Sequence, residues 1–309
     1  MAFIEKQRHG NHDYFYLVKS VRVSPTKVTR ARVFLGREVP GHAELQKIFV
    51  ELEKKIPAKI LSKHLSKELV EKLEDLRASI KQFHETPVVV LPKDFLVRFT
   101  YNSNAIEGNP LTLRQTALIL SDQITPQGAK TEDVVEVLNG KDAWEFVKNY
   151  GKALNKSFVC KTQFEVTKNT SCTAQGSYRI TQVGITGSDW KPPLAEKVEG
   201  LMEEFIKEFK ESKRELHPIE LASFVHNKLA QIHAFSDGNG RTARLLMNWV
   251  LLRNGFPPAV VEASNKEEYY ACIEKADAGD DKAFSEFLGR QLLKQYTLPK
   301  TIPEEKKGG

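Results

Sequence analysis

Cysteine is scarce: Cys160, Cys172 and Cys272 are the only three in 309 residues. Their odd number, with no CxxC pair and no close Cys/His spacing, argues against a zinc site or a disulfide framework and implies reduced thiols. Long hydrophobic runs are also missing. The longest, Val88-Val89-Val90-Leu91, is cut by Pro87 and Pro92 and is far too short to cross a bilayer. Met1-Ala2-Phe3-Ile4 leads straight into Glu5-Lys6-Gln7-Arg8, without the basic start, apolar core and small-residue cleavage site of a secretory leader. A cytoplasmic chain with no membrane partner is the expectation. Internal repeats and low-complexity tracts are lacking as well, and only Lys306-Lys307-Gly308-Gly309 reads as a frayed tail.

Acid is absent from one stretch. Between Asp13 and Glu38 there is no carboxylate, whereas Lys19, Arg22, Lys27, Arg30, Arg32 and Arg37 are basic, so the net charge of +6 is concentrated near the N-terminus. Elsewhere Lys and Glu interleave, as in Glu203-Glu204-Phe205-Ile206-Lys207-Glu208, the pattern of a solvated helix face. The hydrophobic share of 40% and charged share of 28% are those of a globular chain, and the length suits two domains.

Tyr14-Phe15-Tyr16-Leu17-Val18 and Val28 to Val33 are rich in β-branched and aromatic residues and flank Ser24-Pro25-Thr26-Lys27, which predicts a small β-hairpin. Its basic residues are either purely structural or touch phosphates. Helical spacing follows in Leu45, Ile48, Phe49 and Leu52, then in Leu69, Leu73, Leu76, Ile80 and Phe83. That second stripe packs inside one chain or forms a homodimer seam; at two heptads the former is favoured. Pro87 and Pro92 bracket a linker, which sets an N-terminal segment of residues 1–92, a main domain of 93–295 and a tail of 296–309. Thr112-Leu-Arg-Gln115 is a capping-box pattern, and Pro193 is placed to open a helix with an apolar face from Leu194 to Phe209. Residues 156–168 are ambiguous because Thr162, Phe164 and Val166 alternate like a strand. Residues 176–188 suggest a short hairpin.

Leu221, Val225, Leu229 and Ile232 form a stripe running into His233, and Ala243, Leu246, Met247 and Val250 form another just after Arg241. Between them lies Ser236-Asp237-Gly238-Asn239-Gly240, so the segment reads as helix, tight polar loop, helix. Two glycines before a helix N-terminus let backbone N–H groups converge on one spot, and the dipole behind them favours phosphate. Arg241 and Arg244 share a face of the first turn and can hold adjoining phosphates. Asp237 can offer a hard oxygen to Mg²⁺ alongside nucleotide phosphates, and His233 can take a proton near neutral pH. Phe235 reads as a core anchor for the loop.

The stretch from His233 to Arg244 resembles the Fic signature, His-x-Phe-x-(Asp/Glu)-Gly-Asn-(Gly/Lys)-Arg-x-x-Arg, at every specified position. The likeness extends over about residues 93–295. Gly176-Ser-Tyr178-Arg179 and Val183-Gly184-Ile185 are similar to the family's flap, and Ser103-Asn-Ala-Ile-Glu107-Gly108 is similar to its (Ser/Thr)-x-x-x-Glu-(Gly/Asn) inhibitory motif. The resemblance implies a mainly α fold, a helical bundle with a short β-hairpin flap, preceded by a small segment of hairpin and helices. It implies protein adenylyl transfer from ATP with Mg²⁺: His233 as base, Asp237 as metal ligand, and Gly238, Asn239, Gly240 and Arg241 around the phosphates. It also implies that Val183, Gly184, Ile185 and Thr186 align a target strand bearing a Ser, Thr or Tyr hydroxyl, on another protein or on the protein itself, and that Tyr269 or Tyr270 stacks on adenine. Relatives that transfer phosphate carry Lys where Gly240 stands, which favours AMP transfer here. An inhibitory helix at about 94–107 would bring Glu107 to Arg244, in place of the ATP γ-phosphate.

Two rivals stay open: removal of AMP from a modified protein, alone or alongside its addition, and a nucleotide-responsive DNA-binding regulator built on the basic N-terminal segment. The second is disfavoured because no winged helix-turn-helix follows the Fic-like region, so nucleic acid is not an expected partner.

Overall fold

The alternation around Tyr16 and Arg32 does produce strands, and a third joins them. The computed structural model describes residues 2–10, 12–24, 27–55, 62–82, 94–184, 190–213 and 215–296. Strands β1 (Ala2–His9), β2 (His12–Ser24) and β3 (Lys27–Gly36) form an antiparallel meander in the order β1-β2-β3. The expected hairpin is therefore the second half of the sheet. The sequence hides β1 because Glu5-Lys6-Gln7-Arg8 carries no apolar alternation, and main-chain pairing to β2, Phe3 against Val18 through His9 against His12, holds it. Helix α1 (His42–Lys55) packs Leu52 and Ile48 on Leu17, Ala31, Val33 and Leu35 of one sheet face. The sheet and α1 belong to a compact unit comprising Met1–Lys63 with Arg214–His217.

The second unit, His64–Lys213 with Pro218–Gly309, is helical. Helix α2 (Lys67–Gln82), which the sequence groups with the N-terminal segment, packs here. Leu69 and Leu73 close on Gly289 of α11 (Asp281–Tyr296), so the apolar stripe is used within the chain. Phe83 and the Pro87–Pro92 linker lie outside the described residues. Helix α3 (Phe95–Ile106) docks by Phe95 and Phe99 against Trp144 of α5 (Thr131–Asn149), with ring centroids 4.9 and 5.2 Å apart. The capping box forms: Thr112 Oγ1 accepts from Gln115 N and Gln115 Oε1 accepts from Thr112 N, starting α4 (Leu113–Ala117), which continues as a π-helical turn, Leu118–Asp122.

Residues 156–168 are helix α6 (Lys156–Thr167), not a strand. Asn155 caps it by accepting from Phe158 N, and Phe158, Val159, Thr162, Gln163 and Val166 share the buried face. The alternation misleads because Phe164 lies outside that face. The hairpin expected over 176–188 is not seen among the described residues: 176–184 run in turns and bends, and 185–189 lie outside them. The helix expected from Pro193 begins two residues later, as a 3₁₀ turn at Ala195–Lys197 that leads into α7 (Val198–Ser212), leaving Leu194 exposed. The centre of the unit is the pair α8 (Pro218–Ile232) and α9 (Asn239–Arg253), whose two apolar stripes are buried as their spacing requires. Each such Leu, Ile or Val contributes roughly 1.5–3 kcal/mol on burial. Helix α10 (Lys266–Asp277) completes the set. Among the described residues no helix is long and apolar enough to cross a membrane.

Candidate active site

The polar loop between α8 and α9 is held from three sides. His233 leaves α8 with φ +50, a left-handed conformation that costs a non-glycine residue about 1–2 kcal/mol and needs outside support. Arg179 supplies it. Its backbone N–H donates to Ala234 O at 2.9 Å, its Nε donates to His233 O at 2.8 Å, and its guanidinium also reaches the carbonyls of Thr181 and Pro193. Beneath the loop, buried Phe235 exchanges two hydrogen bonds with the Asn239 side chain: Phe235 N donates to Oδ1 and Nδ2 donates to Phe235 O. The Asn239 side chain thus shapes the loop from within. Gln163 of α6 donates to Asp237 O and accepts from Gly176 N, tying the loop to the segment before Arg179. Gly238 has φ +75, and a Cβ there would meet Thr167 Cγ2 at 2.9 Å, so only glycine fits this turn.

His233 Nδ1 faces Ala230 O at 3.3 Å. The tautomer that satisfies this contact carries its proton on Nδ1 and leaves Nε2 as a free acceptor. Burial lowers the imidazole pKa below its ordinary value; the Ala230 contact and the negative charges of Glu107 and Asp237 oppose that shift without cancelling it. A neutral His233 with an open Nε2 is suited to take a proton.

Arg241 is buried, and NH1 pairs with Glu136 of α5 at 2.6 Å while NH2 reaches both oxygens of Asp237 at 3.1 and 3.2 Å. Glu136 in turn accepts from Asn109 Nδ2 at 2.8 Å, and Asn109 Oδ1 accepts from Leu111 N. A chain of polar contacts thus runs from the end of α3 to the loop. The Arg241 pKa is raised because these carboxylates outweigh its desolvation.

Arg244, the second arginine, is 2% exposed and uses every donor group. Nε donates to Ser103 Oγ, NH2 to Ser103 O and to Glu107 Oε1 at 2.7 Å, and NH1 to Tyr269 OH at 3.3 Å. The Tyr269 hydroxyl meets His226 Nε2 at 2.8 Å, and His226 Nδ1 meets Asn227 Oδ1. Complete burial pushes His226 down to about 3, so it stays neutral. One proton arrangement then satisfies all three: Nδ1–H to Asn227, Tyr269 O–H to Nε2, and Arg244 N–H to the Tyr269 oxygen. Glu107 caps α3, with Gly108 leaving at φ +99. Its carboxylate lies on Gly240 so closely that a Cβ there would collide with Oε1. Burial raises the Glu107 carboxyl, but Arg244, aided by Arg241 and His233, brings it net below its ordinary value. An ionised carboxylate therefore sits at the N-terminus of α9, where helix geometry favours an anion.

His233, Asp237, Gly238, Asn239, Gly240, Arg241, Arg244, Ser103, Glu107 and Gly108 thus gather at one place. Tyr269 is a correction: at 2% exposure, with its hydroxyl shared by His226 and Arg244, it positions the arginine and offers no stacking face. Tyr270 is open to solvent, and its hydroxyl donates to Ile106 O. Val183 and Gly184 lie past the segment that Arg179 holds, and Ile185 and Thr186 fall outside the described residues. Glu136, Gln163 and His226 carry no local signal of their roles; Asn109 directly follows the inhibitory-type motif, and Arg179 lies in the flap-like stretch but without a sign that it holds the His233 carbonyl. Among the described residues no three His, Cys, Asp or Glu side chains cluster as a metal site. Asp237, half exposed, is the carboxylate on the loop.

The Fic/DOC family profile matches residues 153–251. "Protein adenylyltransferase Fic" of Nematostella vectensis is 35% identical over 253 residues, which span 78% of this chain and 58% of that protein. The Aedes aegypti protein of the same name is 30% identical over 232 residues, 73% of this chain and 46% of that one. The chain therefore spans about half the length of these curated relatives. Among solved structures, Fic-1 from C. elegans is similar with a TM-score of 0.68 at 26% identity, covering 84% of this chain and 77% of that one. A Fic domain containing signaling protein from Bacteroides thetaiotaomicron gives a TM-score of 0.65 at 27% identity, covering 73% and 95%.

Proposed function

The chain belongs to the Fic/DOC family, and on that premise we propose that it transfers AMP from ATP to a hydroxyl of a protein and is restrained by Glu107. The observation that carries this reading is the Glu107 carboxylate seated on Gly240 and paired with Arg244: an anion position at the N-terminus of α9 filled by the protein's own side chain. When Glu107 withdraws, Arg244 and the α9 N-terminus become free for phosphate oxygens. His233 Nε2 then takes the proton of the target hydroxyl as its oxygen bonds to the α-phosphorus. The bond from that phosphorus to the bridging oxygen breaks, and pyrophosphate leaves with the electron pair. Backbone N–H groups of the Gly238–Arg241 turn and the Arg241 guanidinium oppose the charge on the transferring group. Asp237 suits Mg²⁺, because that ion needs only one or two carboxylates beside nucleotide phosphates, and there it would supply charge neutralisation. Gly240 favours AMP over phosphate transfer by resemblance, since relatives that transfer phosphate carry Lys at that position of the signature.

Intact mass after incubation with ATP and Mg²⁺, with and without cell lysate, tests the reaction. Glu107→Gly should gain AMP on itself or on a target at least tenfold faster than wild type, and Glu107→Gly with His233→Ala should gain none. Equal rates for wild type and Glu107→Gly across ATP and protein concentrations would remove the restraint and leave the transfer standing. The rival, hydrolytic removal of AMP, is favoured by one observation: the ionised Glu107 carboxylate, 35% exposed, stands where it could orient a water. In that case Glu107→Gly would lose the ability to release AMP from a modified protein.

A further inference from the structure

The acid-poor stretch is not absorbed by the catalytic reading, and the sheet gathers part of it on one face. The β2–β3 register sets Tyr16 opposite Phe34 and Val18 opposite Arg32, while Leu17, Ala31 and Val33 turn the other way, onto α1. On the face away from α1, the Tyr14 and Tyr16 rings lie 6.0 and 5.2 Å from that of Phe34. The Arg32 guanidinium sits 4.9 Å above the Tyr16 ring, and that of Arg37 lies 5.8 Å from Tyr14. Phe34 is 54% exposed, and Phe3, across the sheet on β1, is 46% exposed. Arg30, Arg32 and Arg37 are exposed, and among the described residues none has a carboxylate partner. Among the described residues of this face Glu5 is the acid, and its Oε1 accepts from Gln7. Phe34 and Phe3 open to water, with half-buried Tyr14 and Tyr16 beside arginines that have no carboxylate partner among the described residues, are poor surface for a free protein. They match a ligand with flat π-faces and a regular negative charge.

We propose that this sheet face binds single-stranded nucleic acid. Bases stack on Phe34, Tyr16 and Tyr14, and Arg30, Arg32 and Arg37 meet the phosphates. A single strand is favoured over a duplex because paired bases are already stacked and present only their edges, whereas rings on a sheet need unstacked bases. An acidic peptide would satisfy the arginines but leave the rings unused. Ring-bearing positions two residues apart on a strand stand about 7 Å from one another, which lets neighbouring bases use neighbouring rings. The proposal departs from the expectation that nucleic acid is not a partner. It is independent of the transfer chemistry.

The test is fluorescence polarisation of the full chain with labelled oligo-uridine and oligo-thymidine, against a labelled duplex and heparin, over a salt series. Single strands should bind more tightly than duplex or heparin. Tyr16→Ala and Phe34→Ala should each weaken binding about tenfold or more, while Tyr16→Phe and Phe34→Trp, which keep a ring, should retain it. Arg32→Ala and Arg37→Ala should each flatten the slope of log affinity against log salt by roughly 0.7. Melting curves confirm that each variant is folded, and the ring-keeping pair carries the comparison if an alanine variant is not. Equal binding of heparin, full affinity in the alanine variants, or no binding at low salt would each overturn the proposal. So would a dimer that Phe34→Ala disperses in a chain that binds no oligonucleotide.

Discussion

At the scale of single residues, His233 and Arg244 have opposite electrostatic tasks and opposite surroundings. Burial lowers the His233 pKa, so the imidazole is neutral at pH 7, and its protonated form appears only as pH falls through a value below the ordinary 6.5. If His233 is the base, kcat/KM of Glu107→Gly should hold from neutral pH to below 6.5 and then fall. Loss of activity already above 6.5 would contradict the assignment. Glu107 adds charge that raises His233, so its removal should move that acid limb further down, not up. Arg244 is held instead by a fully paired relay. Tyr269→Phe removes the hydroxyl that serves both Arg244 and His226, leaving two buried polar groups short of a partner. A loss of about 1–3 kcal/mol in urea unfolding is expected, together with a higher KM for ATP. Stability within experimental error of wild type would show that the relay does not hold the arginine.

Among the elements, α6, α3 and the α8–α9 turn each illustrate a local rule and its limit. The turn needs Gly238 twice over, for its positive φ and for its contact with Thr167. Gly238→Ala should cost about 1–3 kcal/mol and abolish transfer, as read by thermal unfolding and by intact mass. An unaltered melting transition would mean that the loop is free to adapt. Helix α3 is legible in its own residues: Phe95, Phe99, Ser103 and Ile106 recur at helical spacing, and Gly108 follows as a left-handed stop. Helix α6 is not, because Thr162, Phe164 and Val166 alternate in polarity while Asn155 and the packing of Phe158 decide for helix. Strand β1 was missed for the converse reason: its charged side chains conceal a main chain that pairs along its whole length with β2.

For the whole molecule, the proposed function links folding to ATP binding through one contact. On that proposal wild type gives up the Glu107–Arg244 pair to accept ATP productively, whereas Glu107→Gly has nothing to displace. Saturating ATP and Mg²⁺ should therefore raise the melting temperature of Glu107→Gly more than that of wild type. The difference should be several degrees if the variant reaches 100 times its Kd, a stabilisation of about 2.7 kcal/mol. Equal shifts in a thermal scan would place Glu107 outside the phosphate site.

The sequence by itself determined the loop from His233 to Arg244, the two stripes that bury α8 and α9, and the helical run that ends at Gly108. Each depends on residues within a few turns of one another, where backbone geometry and periodicity leave little choice. Only the tertiary structure decided that Glu107 lies on Gly240, that Glu136 holds Arg241, and that Tyr269 supports Arg244 and is not free for adenine. Glu107 and Arg244 are 137 positions apart, and Glu136 and Arg241 are 105 apart. No local signal links such distant residues. Their meeting follows from the docking of α3 on α5, with Phe95 and Phe99 against Trp144, a choice made by the shape of a shared core.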